Sequence, residues 1–110
     1  IIVSTPQEVA LLDVKRGIKT FDKLGVKILG LVDNMSYFIG DDGKKYKIFG
    51  EGGVKKTAEE FGKEFLGEIP INPLVGETSD KGKPIVEANP DHEISKIYIE
   101  FAKKIKSTYL

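Results

Sequence analysis

The segment Val26–Ser36, VKILGLVDNMS, places the strongest constraint on the fold of this chain. Its first part, Val26–Val32, is apolar except for Lys27 and shows no alternation of apolar and polar residues. This pattern is typical of a strand in a parallel sheet that helices cover on both faces. The sequence becomes small and polar at Asp33, and ligands of open α/β sheets bind outside the carboxyl ends of the strands. Asp33–Ser36 is therefore the first candidate for a functional site, although Asp and Asn also form turns by default.

The residues before this segment predict a strand and a helix. Ile1–Ser4 is a short β-branched run, which we interpret as a buried strand. Thr5-Pro6-Gln7-Glu8 predicts a helix start, with Thr5 as the N-cap and Glu8 completing a capping box. Apolar residues at helical spacing follow, and Leu24-Gly25 predicts the end of the helix. Strand, helix and strand in this order form a βαβ unit, whose strands are parallel.

The residues after it predict a hairpin, two helices and a third strand. The hairpin covers about Tyr37–Phe49, and a helix runs from about Val54 to Phe61. The third strand is Glu64–Ile69, and the last helix starts at Asn89-Pro90. Pro70–Pro90 contains several prolines and predicts an irregular stretch with a helical turn near Leu74–Thr78.

These elements predict an α/β fold of one domain, residues 1–110, with a partial, doubly wound parallel sheet and a β-hairpin insertion. Three parallel strands leave one edge of the sheet unpaired. The chain also starts inside an apolar strand without a methionine. We interpret both features as signs that a longer protein supplies the rest of the sheet; self-association across the edge is the alternative.

The composition excludes several classes of function. The 17 basic and 17 acidic residues cancel, so we expect no nucleic-acid partner. No apolar run approaches the ~20 residues of a membrane span, and no signal peptide is visible, so we expect a cytoplasmic protein without a membrane span. The chain contains no cysteine, which excludes disulfides and thiolate metal sites within it. We predict no metal site in this chain.

Several sequence runs together carry a family resemblance. VDNMSYF, preceded by STPQEVALLDVKR and followed by IFGEGG and FLGEIPINP, resembles the C-terminal half of the Mrp/ApbC family. These proteins are P-loop ATPases of the MinD/ParA group that act as iron–sulfur cluster carriers. The resemblance covers Ile1 to about Val86 and implies ATP and Mg²⁺ as cofactors of the full-length protein. It also implies a homodimer and apo iron–sulfur proteins as partners.

The resemblance assigns three residues to the nucleotide base. Asn34 resembles the asparagine that reads adenine, and an amide has the donor and the acceptor that this base requires. Pro70 resembles the proline that packs on the base, although a plain loop proline is an equal alternative. Ile71 lies beside it in sequence and adds apolar surface.

Two features depart from a complete ATPase that carries a cluster. The family's C-x-x-C pair is replaced by Ile39-Gly40-Asp41-Asp42-Gly43, and carboxylates are poor substitutes for the thiolates that bind iron–sulfur clusters. The glycine-rich run Gly50–Gly53 lacks the spacing G-x-x-x-x-G-K-[ST], so we reject it as a phosphate loop. We therefore predict no catalytic residue in this chain, and we interpret the lone His92 as a surface residue.

Two readings of the function follow from these observations. The first is a segment of an ATP-dependent iron–sulfur carrier that contributes the adenine-binding side and the dimerisation region. The second is a ParA/MinD-like regulatory ATPase that binds no cluster, which the missing cysteines favour. A fragment that only binds a partner is a third, weaker alternative.

Overall fold

The computed structural model describes residues 1–110, which form two compact units, Ile1–Ile71 and Asn72–Leu110. The first unit contains β1 (Ile2–Ser4), α1 (Glu8–Lys23), β2 (Leu31–Ile39), β3 (Lys45–Tyr46), α2 (Gly53–Glu60) and β4 (Phe65–Ile71). The second contains α3 (Pro73–Asp80), α4 (Ile85–Ala88) and α5 (Glu93–Tyr109). No helix combines the length and the apolar composition that a membrane crossing requires.

The sheet of the first unit is built around β2. This strand pairs in parallel with β1 on one side, where Val3 lies opposite Val32, and with β4, where Asp33 lies opposite Glu68. Its far end pairs in the antiparallel direction with β3. The predicted parallel strands are therefore confirmed, and so is a hairpin within Tyr37–Phe49, although its second strand covers only Lys45–Tyr46.

The central strand begins later than its sequence predicts. Val26–Gly30 makes no ladder pairs, and β2 starts at Leu31 and continues to Ile39. The apolar run predicted a strand start at Val26 because it suggests burial along its whole length. In the structure Val26 is 49% exposed, whereas the strand residues Leu31 and Val32 are buried. Asp33–Ser36 consequently lies inside the strand and not beyond its end, which corrects the sequence prediction.

The core of the first unit lies between the sheet and its helices. Helix α1 packs against β1 and α2, and α2 packs against β2 and β4. The buried cluster consists of Val14, Ile18, Leu31, Val54 and Ala58. The helix α1 ends where predicted, because Gly25 has the left-handed φ of 73° that a residue after a helix end commonly adopts.

The predicted capping box at Thr5 and Glu8 is wrong. Helix α1 starts at Glu8, and its N-cap is Gln7, which makes no side-chain capping hydrogen bond. The Thr5 hydroxyl donates instead to the Gln7 side-chain oxygen at 3.0 Å. The helix thus begins later than the Thr5 N-cap placed it, so Thr5 cannot reach the backbone N–H groups that a cap must satisfy.

The second unit is largely helical: the helical turn predicted near Leu74–Thr78 is confirmed as part of α3, whereas α4 lies where an irregular stretch was predicted. Helices α3 and α4 occupy much of Pro70–Pro90. The prolines do not prevent this, because Pro73 lies in the first turn of α3 and Pro84 is the N-cap of α4. Proline is well tolerated at both positions, since the first N–H groups of a helix have no partner within it. Helix α5 starts at Glu93, and the lone histidine caps it: His92 Nδ1 accepts the Ile94 N–H at 3.1 Å.

Gly30 provides a test of how β2 packs. A Cβ on Gly30 would lie 2.6 Å from Leu66 Cγ, which is closer than any real contact, and Leu66 is buried. We expect Gly30→Ala to lower the free energy of unfolding by about 1–3 kcal/mol through overpacking. Gly17→Ala is the matched control, because Gly17 lies within α1 with nothing within 4 Å of its Cβ position. This control should raise stability by about 0.5–1 kcal/mol. Urea unfolding of both variants measures the difference, and equal midpoints would contradict the packing argument.

Candidate functional site

The carboxyl end of β2 contains a bulge against β4. Asn34 lies opposite Ile69 and Phe38 lies opposite Ile71, so Met35, Ser36 and Tyr37 together face Pro70. Met35 has a φ of 52° and is the only residue other than glycine with a positive φ. A left-handed residue and an excess of residues on one strand are the marks of a β-bulge, which redirects side chains and is common beside functional sites.

The three residues that the family resemblance assigned to the adenine base all lie in the strands on either side of this bulge. Asn34 is half-buried and belongs to the last regular pair before the interruption. Pro70 was predicted just beyond its strand but lies within β4, opposite the bulge. Proline has no N–H to donate, and it is tolerated here because the ladder is interrupted at this position. Ile71 follows it and pairs with Phe38. The structure thus places Asn34, Pro70 and Ile71 in neighbouring strands within two register positions of one another; their contact with a nucleotide remains a prediction.

Asp33, next to Asn34, is the most unusual side chain at this edge. It is 1% exposed, and its Oδ1 has no hydrogen-bond partner. Burial, reinforced by the nearby Glu68 carboxylate, raises the pKa of Asp33 from 3.8 to about 6. The hydroxyl of Ser36, which donates to this carboxylate, and the Lys47 ammonium both act in the opposite direction and limit the rise in pKa.

Glu68 and Lys47 complete a charged group around Asp33 that the sequence analysis missed. Lys47 Nζ lies 3.4 Å from Glu68 Oε1, and both side chains are partly shielded from solvent. Lys45 and Lys47 also lie over the ring of Tyr37, at 4.4 Å and 5.3 Å from its centre. These contacts tie the segment after β3 to β4 and to the bulge. The sequence contained one signal for this charged group: Glu68 is the single charged residue within the otherwise apolar run FLGEIP.

The glycine-rich run before α2 has a packing explanation. A Cβ on Gly53 would lie 2.6 Å from Leu11 Cδ1, and a Cβ on Gly50 would lie 3.1 Å from the Pro6 carbonyl oxygen. Glycine therefore allows this loop to approach α1 and the segment before it. Close packing accounts for Gly50 and Gly53, and a left-handed φ of 73° accounts for Gly52, without the phosphate loop that the sequence spacing argued against.

The turn that stands where the family has its cysteine pair is closed by its own hydrogen bonds. Gly40 N–H donates to the Lys44 carbonyl, and Asp42 accepts the Lys44 N–H at 2.9 Å through Oδ1 and the Tyr46 hydroxyl through Oδ2. These bonds hold the pKa of Asp42 below its usual range. Both Asp42 oxygens are thus engaged, and the turn has no thiolate, so its residues do not fit an iron–sulfur cluster.

The pKa of Asp33 predicts a pH dependence of stability. Because its folded pKa lies above the unfolded value, the native state binds the proton more tightly, and stability falls as the pH rises from about 4 to about 6. We expect Asp33→Asn to raise the free energy of unfolding by about 1–3 kcal/mol near neutral pH, with the gain vanishing toward pH 4. Denaturant unfolding across this range measures it. Asp13→Asn, at an exposed position of α1, is the matched control; the same stability profile in both variants would contradict the assignment.

Comparisons with known proteins place this geometry in a family. Residues 1–106 match the family described as ParA, NUBPL iron-transfer P-loop NTPase. The chain is 50% identical over 106 residues to the iron-sulfur cluster transfer protein NUBPL of Dictyostelium discoideum, covering 96% of this chain and 33% of that protein. It is 47% identical over 104 residues to the iron-sulfur cluster carrier protein of Aquifex aeolicus, covering 94% of this chain and 29% of that protein.

A solved structure confirms the α/β fold. The nucleotide-binding protein of Archaeoglobus fulgidus, in complex with ADP, superposes with a TM-score of 0.65 at 35% identity, covering 81% of this chain and 37% of that one. The chain thus spans about a third of the length of the proteins that it matches. The match over residues 1–106 and the parallel sheet lead to one conclusion: this chain belongs to the ParA family of NUBPL iron-transfer P-loop NTPases.

Proposed function

We propose that this chain is the C-terminal segment of an ATP-binding iron–sulfur cluster carrier and contributes the adenine-binding side of its nucleotide site. The observation that carries the proposal is the register of the two neighbouring parallel strands, which places Asn34 opposite Ile69, the residue before Pro70, at the edge of the bulge. Ligands of α/β sheets bind at this end of the strands. The names of the relatives support the carrier role, and the ADP complex of the Archaeoglobus protein supports nucleotide binding.

The chemistry of Asn34 suits an adenine base. Its amide offers one donor and one acceptor, which match the adenine amino group and the adjacent ring nitrogen. Guanine presents the opposite polarity at that edge, so an amide held in one orientation disfavours it. Pro70 and Ile71 are half-buried and supply apolar surface for the flat face of the base.

The phosphates and Mg²⁺ belong to residues outside this chain. The sequence has no G-x-x-x-x-G-K-[ST] run, and phosphoryl transfer depends on such a loop and on Mg²⁺ ligands. We therefore assign hydrolysis to the remainder of the full-length protein and the reading of the base to this segment. We further propose a cytoplasmic homodimer that contacts its partner subunit through this segment and passes its cluster to apo iron–sulfur proteins.

The second candidate is a regulatory ATPase that carries no cluster, and the cysteine-free turn at Ile39–Gly43 favours it. Iron and sulfide analysis of the full-length protein after anaerobic reconstitution separates the two candidates. We expect bound iron and sulfide, held by thiolates outside residues 1–110, because this chain has no cysteine of its own. Cysteine-to-serine variants in the remainder of the protein are the control. Reconstituted protein without iron or sulfide would overturn the carrier role and leave the regulatory ATPase.

Asn34→Ala tests the adenine assignment in the full-length protein. Loss of the amide should weaken ATP binding about tenfold, or about 1–2 kcal/mol, and reduce the preference for ATP over GTP. Mg²⁺ dependence should survive, because the phosphates are bound elsewhere. Equilibrium titration with ATP and with GTP measures both affinities.

Two further variants serve as controls for this titration. Ile71→Ala removes apolar surface that has no preference between bases, so ATP and GTP affinities should fall together. Asn89→Ala replaces an asparagine between α4 and α5 and should leave both affinities unchanged. An unchanged ratio of ATP to GTP affinity in a folded Asn34→Ala protein would refute the adenine assignment.

A further inference from the structure

A buried hydrogen bond spans the residue proposed to read the base. Asp33 and Ser36 are each 1% exposed, and the Ser36 hydroxyl donates to the Asp33 carboxylate. The two residues between them are Asn34 and the left-handed Met35. This bond therefore closes the backbone of the bulge on itself, with Asn34 inside the closed loop.

The bulge needs such a bond because its backbone conformation is costly. A left-handed φ at a residue other than glycine costs about 1 kcal/mol or more and persists only where surrounding contacts fix it. The parallel ladder provides no fixation here, since it is interrupted between Asn34 and Phe38. The Asp33–Ser36 bond acts within that interval, and a charged acceptor makes it stronger than a neutral one.

The buried carboxylate of Asp33 lowers the stability of the fold, so a purely structural role does not explain it. Its carboxylate is buried beside another carboxylate and leaves one oxygen without a partner. Buried polar groups that are only partly satisfied lower stability and are typical of functional sites. An uncharged residue would fill this position of β2 at lower cost, so the charge calls for a role beyond packing.

We propose that the Asp33–Ser36 pair positions the nucleotide base site: the ionised carboxylate holds the Ser36 hydroxyl, fixes the left-handed bend at Met35 and thereby orients the Asn34 amide. This inference rests on the proposed function, because it concerns the same base site. Asp33 and Ser36 act through Asn34 and do not touch the base themselves.

Ionisation of Asp33 makes the positioning sensitive to pH. The charged groups that act on it are Glu68 of β4 and Lys47, which follows β3, while β1 places the uncharged Ser4 opposite it. With a pKa of about 6, the carboxylate is ionised at neutral pH and protonated in mild acid. Protonation weakens the bond to Ser36, loosens the bulge and reduces the preference for adenine.

The test is the ratio of ATP to GTP affinity in the full-length protein between about pH 5 and about pH 8. Protonation of the triphosphate affects both nucleotides equally, so the ratio isolates the base. We expect the wild-type ratio to fall about three- to tenfold toward the acidic end. Ser36→Ala removes the bond, and Asp33→Asn leaves only a neutral acceptor for the Ser36 hydroxyl, so both should show a low ratio at every pH. The double variant should be no lower than Ser36→Ala, since both changes act on the same bond.

Two controls separate positioning from general destabilisation. Lys47→Gln removes a cation that lowers the pKa of Asp33, so the fall in the ratio should move to higher pH. Ser107→Ala removes an exposed serine whose hydroxyl donates to the Lys104 carbonyl, and it should behave as wild type. The Met35 ¹³Cα chemical shift reports the left-handed bend directly, and it should change in Ser36→Ala.

The outcomes distinguish this inference from the proposed function. If Asn34→Ala lowers the ratio while Ser36→Ala and Asp33→Asn keep the wild-type ratio and pH profile, the positioning role is wrong and the adenine site stands. An unchanged Met35 shift in Ser36→Ala also overturns the positioning role. If Asn34→Ala leaves the ratio unchanged, both the adenine assignment and the positioning role are wrong.

Discussion

The candidate site depends on the point where the ladder between β2 and β4 is interrupted. Pro70 has no N–H to donate, and Met35, Ser36 and Tyr37 bulge out opposite it. Before the bulge, β2 is an ordinary buried strand held between β1 and β4. After it, Phe38 makes one more parallel pair, with Ile71 of β4, and Phe38 and Ile39 pair with β3 as a hairpin. The bulge therefore lies where the parallel pairing with β4 gives way to the hairpin with β3.

Buried charge is concentrated at this break. Asp33 faces Glu68 across the ladder, and Lys47 neutralises Glu68 from the segment after β3. The cation thus reduces the repulsion between two carboxylates and holds the hairpin close to the bulge, where Tyr37 lies beneath it. Packing, strand pairing and electrostatics are coupled here, so a change in the protonation of one carboxylate can alter the backbone that presents Asn34.

Family membership and local chemistry give different information about this chain. The match over residues 1–106 shows a P-loop NTPase family whose relatives are named cluster carriers, yet the turn at Ile39–Gly43 has no cysteine and engages its own carboxylate. The turn lacks the thiolates that a soft metal cluster requires. The division of roles that we propose within the full-length protein, with base recognition here and cluster ligation elsewhere, accounts for both observations.

The sequence by itself determined the βαβ order, the parallel pairing, the closing glycine of α1 and the family, because apolar runs and specific motifs are local signals. It misplaced the start of β2 and the cap of α1 and missed α4, since exposure and the position of each proline in a helix depend on neighbouring elements. Only the tertiary structure decided that Asn34, Pro70 and Ile71 share one edge and that Glu68 and Lys47 surround Asp33. Those groups come from separate strands, and strand register, which no local pattern encodes, sets which of them meet.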